Sequence, residues 1–432
     1  NRTANLVAWV GNARFGEGGT GWVDCGRAQR SPGSTLKPFA YLSAVEQGYL
    51  TASSLLADTS IAFSGRAPRN FDLQYRGAVT ARVALSESLN APAVRVLRMA
   101  GPDRVLQLLR DAGLNHLTQP ISYYGDSLIL GGCEVTLLEE LEAFTALAAL
   151  GAHRPLSFVE GPLPPETRIA SEAGCWIICD ILNHRGPLAL FTRGTLGQKW
   201  QVALKTGTSY GLRDAWTAAW TPEFTTVVWV GAPDGESWPG LVGARAAAPV
   251  ALRILRAVSP HSTWYNRPNG LVLRQVCTLS GRTPTAACPT TQLDWALEGI
   301  TRTTPCTMHT LKQGRSTVLW PTELGGNAPH SSSLSTRRGN LTITSPIAGA
   351  TYLTAPFDLQ RRLPMRAEGA IERIWWYLDG RYIGTSLPNE TFFHPVPDGT
   401  HIIGATDKEG RSTSTMVRVA TPGQSEKPQP LI

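Results

Sequence analysis

Residues 30–45 read RSPGSTLKPFAYLSAV, with Ser34 and Lys37 three positions apart and Pro32-Gly33 forming a turn before them. Apolar residues recur at three and four positions beyond that turn, so a helix is predicted over Lys37–Gly48 with Ser34 and Lys37 on one face at its start. A serine hydroxyl becomes a nucleophile when a neighbouring base takes its proton. An amine one helical turn away serves if desolvation and a nearby like charge pull it well below its usual pKa of about 10.4. One Ser-x-x-Lys is weak alone, because about 0.4 such pairs are expected from composition. Two further segments add weight: SLN at Ser88, Leu89 and Asn90, and KTGTS at Lys205, Thr206, Gly207, Thr208 and Ser209.

The basic residues single out the same places. The chain has six lysines (Lys37, Lys199, Lys205, Lys312, Lys408 and Lys427) against 34 arginines. A sequence that writes its ordinary positive charge as arginine keeps lysine where a deprotonable amine or a compact point charge is needed. Lys37 and Lys205 are the two that fall within motifs.

Around these motifs the text from Asn1 to Val258 alternates helical and strand-like runs. Helices are predicted over Lys37–Gly48, Val79–Met99, Asp103–Ala112, Thr136–Leu150 and Glu172–Leu182, and paired antiparallel strands over Ala215–Trp220 and Thr225–Val230. Residues 259–323, rich in Pro, Thr and Cys, read as a connector. Residues 324–339 are Gly, Ser, Asn and Pro with two arginines, a flexible linker. Short alternating runs at 341–344, 374–378, 382–383, 401–405 and 414–419, with an Asp379-Gly380 hairpin signal, predict an immunoglobulin-like β-sandwich over 340–422. A Pro-rich disordered tail is expected over 423–432. The expected fold is thus an α/β (α+β) domain over 1–258, with a central antiparallel sheet flanked by helices, followed by an all-β sandwich.

Bulk properties exclude other classes. With 432 residues and only 17% charged side chains against a usual ~25%, the chain is neither disordered nor a coiled coil. No apolar run approaches the ~18 residues of a membrane span. The charge of +7 favours anionic surroundings, but no basic run with interleaved aromatics points to nucleic acid. The chain opens on Asn1 and a strand-like run at Leu6–Val10, so an upstream portion carrying any anchor is expected.

In RSPGSTLKPF, ALSESLNAPAV and LKTGTSYGLRDAW, with LGGCEVTLLE and GARAAAPV in support, the chain resembles the transpeptidase domain of bifunctional penicillin-binding proteins. Leu89 stands where the related Ser-Asp-Asn motif has its Asp. Its last third, with LTITSPIAGATY, WWYLDGRYIG and DGTHIIGATDKEGRS, resembles penicillin-binding proteins of the 1C type. No glycosyltransferase motif occurs. The resemblance implies a serine acyl-enzyme formed from the D-Ala-D-Ala end of a peptidoglycan stem peptide, cross-linking to an acceptor amine, and covalent trapping by β-lactam antibiotics. It also implies a periplasmic site of action, an inner-membrane anchor upstream and cell-wall synthesis partners for the C-terminal module.

Within that resemblance each motif residue has a role. Ser34 is the nucleophile and Lys37 its base, Ser88 relays the proton, and Asn90 positions Lys37 and the substrate amide. Lys205 faces the substrate carboxylate with Thr206, Thr208 and Ser209, and Gly207 keeps the strand clear of the ligand. The amides of Ser34 and Thr208 form the oxyanion hole. Two other readings stay open. One is a D,D-carboxypeptidase or β-lactamase-like hydrolase, disfavoured because Glu139 and Glu140 lie in a helical pattern rather than a general-base loop. The other is a noncatalytic wall-binding scaffold acting through the sandwich.

No cofactor and no metal is expected. Of the seven cysteines, Cys277, Cys288 and Cys306 with His309 offer a Cys3His set, but their spacings exceed the usual finger pattern and one disulfide is preferred in an oxidising compartment. Cys175 and Cys179, four apart on a predicted helix, read as core. Trp376 is expected to point opposite to Trp375 and Tyr377, with packing favoured over sugar stacking. His394 and His401 read as ordinary strand residues, and Asp214 as a turn-forming residue.

Overall fold

The computed structural model describes residues 1–18, 20–61, 68, 70–72, 74–183, 200–238, 240–324, 341–346, 350–353, 362–370, 373–388, 390–408 and 410–420. Most of the expected linker and all of the expected tail lie outside them. The chain divides into two compact units, Asn1–Ser331 and Ser332–Ile432.

In the first unit, strands Ala203–Thr208, Asp214–Trp220 and Thr225–Gly231 form an antiparallel sheet in sequence order. Every residue of the middle strand is buried, because both sheet faces are covered. Period-two alternation sends Ala218 and Trp220 into a core built by helices Lys37–Glu46, Asn90–Ala100, Leu137–Ala148 and Glu172–Leu182. Ala219 turns the other way, toward Trp200, Leu252 and Leu255, the last two from helix Ala248–Val258. Cys175 and Cys179 are core residues as expected, and the Trp220 indole donates to Cys179 Sγ at 3.4 Å. A capping box of Thr136 and Glu139 starts the Leu137–Ala148 helix.

The single helix expected over Val79–Met99 is not formed. Gly77–Thr80 is a strand paired with Leu55–Asp58, Thr80 caps a short helix Ala81–Ser86, and a second helix begins at Asn90. Between them Ser88 has φ +59°, a left-handed conformation that breaks the helical hydrogen-bond ladder. The apolar period runs on through the break, and so hides it. At the other end of the unit, Leu6–Val10 is not a strand: Val7 and Val10 are 79% and 75% exposed, and only Asn5 bridges to Ser157.

Residues 259–323 form two hairpins, Leu271–Cys277 with Thr291–Leu297 and His309–Lys312 with Arg315–Val318. The first is tied to the helical core: Asp294 accepts from the Ser53 amide at 2.9 Å and Trp295 meets Trp176 edge-to-face. All seven cysteines are free thiols, so the disulfide preferred from the sequence is not formed.

The second unit is a β-sandwich. A three-stranded sheet, Thr342–Ser345, Arg362–Glu368 and Phe392–Pro395, supplies Leu363, Met365 and Ala367 to a core closed by Ile374, Trp376, Ile403 and Val417 from a five-stranded sheet. Trp376 is fully buried and donates to Ser386 Oγ at 3.0 Å, whereas Trp375 and Tyr377 are half-buried. Asp379 and Gly380 both adopt positive φ, as a two-residue hairpin turn requires. His401 lies in strand Gly399–Asp407, as expected, and its ring also bonds Asp379 Oδ2 at 2.7 Å and the Pro397 carbonyl at 2.9 Å, tying the turn to this strand.

Candidate active site

Ser34 lies in the turn that leads into helix Lys37–Glu46, half-buried, and Lys37 opens the helix fully buried. The turn packs directly on the lysine-bearing strand. Gly33 has φ +59°, and a Cβ there would come within 2.5 Å of the Thr208 carbonyl oxygen. From the other side, a Cβ on Gly207 would come within 2.3 Å of the Pro32 oxygen. Both positions therefore need glycine so that two backbones can touch. The Trp216 indole holds the contact by donating to the Ser31 carbonyl at 2.8 Å.

The left-handed turn at Ser88 delivers the third element. Its conformation costs on the order of 1–3 kcal/mol for a residue with a side chain. In return both oxygens of Ser88 face the lysines. Lys37 Nζ donates to the Ser88 carbonyl at 2.5 Å and to Asn90 Oδ1 at 2.6 Å, with Ser88 Oγ 3.4 Å away. Lys205 Nζ donates to Ser88 Oγ at 2.8 Å and to the Thr206 carbonyl at 2.6 Å. Two residues that the sequence reading missed brace this turn: Asn70 Oδ1 accepts the Asn90 amide at 2.8 Å, and Asn70 Nδ2 donates to Asp58 Oδ2 at 2.7 Å.

Burial sets the charge states. Desolvation, reinforced by the charge of Lys205 and opposed by Asp58, holds Lys37 well below the usual ammonium range. Desolvation lowers Lys205 to about 7, with Glu140 opposing. The two short bonds from Lys37 go to groups that only accept. A neutral amine spends both of its protons there and keeps its lone pair for a hydroxyl.

Glu140 is a further group the sequence reading left in a helix pattern. It is fully buried, and Thr35 Oγ1 lies 2.5 Å from its Oε1 and 3.1 Å from the Pro32 carbonyl. Thr35 has one hydroxyl proton for two acceptors. The arrangement is satisfied if Glu140 is protonated and donates to Thr35, which then donates to Pro32. Desolvation accordingly raises Glu140 to about 8.

The remaining motif residues divide. Thr206 and Thr208 are half-buried on the strand, and Thr208 Oγ1 accepts the Gly243 amide at 3.1 Å. Ser209 Oγ instead accepts the Asp214 amide at 2.9 Å, which fastens the turn between strands. The Asp214 carboxylate takes the Trp229 indole proton at 3.0 Å, so it faces the sheet and not the lysines.

Residues 4–256 match the family model for the penicillin binding protein transpeptidase domain. The chain belongs to that family. Residues 330–419 match the penicillin-binding protein C-terminus family, and residues 267–311 the C-terminal domain of penicillin-binding protein 1A. Among curated proteins, the chain is 28% identical to penicillin-binding protein 1C of Escherichia coli (strain K12), over 93% of this chain and 58% of that protein. It is 30% identical to penicillin-binding protein 1A of Aquifex aeolicus (strain VF5), over 57% of this chain and 36% of that one. The chain thus spans about a third to three fifths of the length of these relatives. The crystal structure of penicillin-binding protein 1A from Haemophilus influenzae shares the fold at a TM-score of 0.54 and 22% identity, covering 66% of this chain and 50% of that one. No helix among the described residues is long and apolar enough to cross a membrane.

Proposed function

We propose that this penicillin-binding protein is a peptidoglycan D,D-transpeptidase that works through an acyl-enzyme on Ser34. The observation that carries the reading is the convergence of Lys37, Ser88, Asn90 and Lys205 into one buried hydrogen-bonded cluster one turn from Ser34. Ser34 Oγ attacks the carbonyl of the penultimate D-Ala as its proton passes to Lys37. The amide C–N bond breaks, and the proton leaves through Ser88 on the departing D-Ala amine. An acceptor amine then attacks the ester, gives its proton back along the same groups, and restores the Ser34 hydroxyl. Lys205 and Thr206 meet the terminal carboxylate, and the amides of Ser34 and Thr208 hold the oxyanion. A β-lactam opens on the same serine but leaves no amine free to depart. This substrate implies action in the periplasm.

Intact mass after incubation with penicillin, beside Ser34→Ala, tests the reading. A stable adduct on the wild type alone supports it. Antibiotic consumed without an adduct favours a hydrolase, and antibiotic left intact without an adduct favours a noncatalytic scaffold.

A further inference from the structure

Away from the active site, Cys277, Cys288, Cys306 and His309 form a cluster whose ligand atoms all lie within 4.8 Å of one another. Cys277 Sγ and Cys306 Sγ stand 3.3 and 3.5 Å from the same nitrogen, His309 Nδ1. Tetrahedral zinc, with Zn–S near 2.3 Å and Zn–N near 2.0 Å, sets its ligand atoms about 3.5–3.8 Å apart. Three of the four residues are buried, and Met308, Leu279, Val318 and Trp320 wrap them in an apolar shell.

The two hairpins contribute a pair each. Cys277 ends strand Leu271–Cys277 and Cys288 precedes its partner strand, while Cys306 and His309, three apart, enter the second hairpin. The Thr285 amide donates to Cys288 Sγ at 3.3 Å, the kind of support that orients a thiolate ligand. One disulfide would use two of three sulfurs that all face one imidazole, and would leave a thiol and the imidazole with nothing to bind.

We propose that Cys277, Cys288, Cys306 and His309 bind one zinc ion that pins the two hairpins of residues 259–323 together. A set of three soft thiolates and one imidazole selects zinc over the oxygen-seeking cations. Binding releases the three thiol protons to solvent, and the neutral imidazole ligates through Nδ1. The apolar cluster of this region is small, and a metal supplies the cross-link that such a core lacks.

The test is elemental analysis of the purified full chain, produced both in a reducing cytoplasm and by export. About one zinc per chain from the first source is expected, lost in Cys306→Ser and in His309→Ala. Cobalt(II) added to metal-free wild-type protein should give thiolate charge-transfer and tetrahedral ligand-field bands. The wild-type measurements stand even if the variants misfold. Zinc-free protein without cobalt bands overturns the proposal, as does zinc retained equally by both folded variants. A disulfide among the three cysteines in exported protein, found by peptide mapping, also overturns it.

Discussion

Lys37 and Lys205 are joined through a single hydroxyl, with Ser88 Oγ 3.4 Å from one amine and 2.8 Å from the other. Lys205 donates to that oxygen, and the Ser88 hydroxyl keeps a proton of its own to pass on, as a relay needs. Ser88 reaches this place only through its left-handed backbone, which gives a clean separation of effects. Ser88→Gly relieves the strain and removes the hydroxyl. Its melting temperature should equal or exceed the wild type's, while the rate of acylation by penicillin falls about 10²–10⁴-fold. Stopped-flow acylation beside a thermal melt measures both, and an unchanged rate would remove Ser88 from the relay.

The lysines predict the pH profile of acylation. In the free protein Lys205 titrates at about 7, and Lys37 is held well below its usual range. If Lys37 acts as a free base and Lys205 as a cation, the second-order acylation rate has a rising limb set by Lys37 losing its proton and a falling limb as pH passes through about 7. Saturating an anionic β-lactam should move the alkaline limb upward, because the carboxylate favours the charged amine. A rate flat from neutrality into the alkaline range would exclude Lys205 as the carboxylate's partner.

Glu140 has a stability signature of the opposite sign to a salt-bridged carboxylate. Its folded pKa, raised from 4.5 to about 8, means that the native state keeps a proton the unfolded chain has lost. Stability is therefore full below about 4.5 and declines as pH rises to about 8. Glu140→Gln, neutral at every pH, should abolish that decline in denaturant midpoints measured across the window. A Glu140→Gln protein with the wild-type slope would mean that Glu140 is ionised in the fold.

Contact between the Ser34 turn and the Lys205 strand gives a steric prediction. Gly207→Ala sets a Cβ 2.3 Å from the Pro32 oxygen and 2.8 Å from Thr35 Cγ2. Backbone is one of the two obstacles, so the strand must move away. We expect a loss of about 1–3 kcal/mol in stability, with slower acylation because Ser34 and the Thr208 amide separate. Calorimetry and acylation rates should change together. A normal melt with normal acylation would show that the two backbones are not in contact.

What the sequence disclosed and what it hid follow one physical line. Local patterns were legible: the Ser34–Lys37 spacing, the Lys205–Ser209 motif and the paired strands after it, and the Asp379-Gly380 turn. The break at Ser88 was not, because apolar residues keep a helical period on both sides of it and only a backbone angle distinguishes the two cases. Asn70, Asp58 and Glu140 were invisible for another reason. Asn70 meets Asn90 across twenty residues and Glu140 meets Thr35 across 105, so nothing near either residue announces the contact. The cysteines mislead in the same way, since spacing along the chain says little about sulfurs brought together by two hairpins.

The two compact units have separate cores, and Trp376 tests whether they melt separately. Its side chain is fully buried between the sheets of the sandwich, stacked on Phe392 at 6.4 Å and hydrogen-bonded to Ser386. Trp376→Ala removes the largest side chain of that core, so a loss of about 3–5 kcal/mol is expected. Among the described residues, the transpeptidase core around Phe39, Phe144 and Trp220 is drawn from residues 36–297. Calorimetry should therefore show one transition displaced to lower temperature and the other unmoved, with the yield of penicillin adduct on Ser34 unchanged at temperatures below both. If both transitions shift together, the sandwich stabilises the transpeptidase-family unit. The two would then have to be treated as one cooperative body.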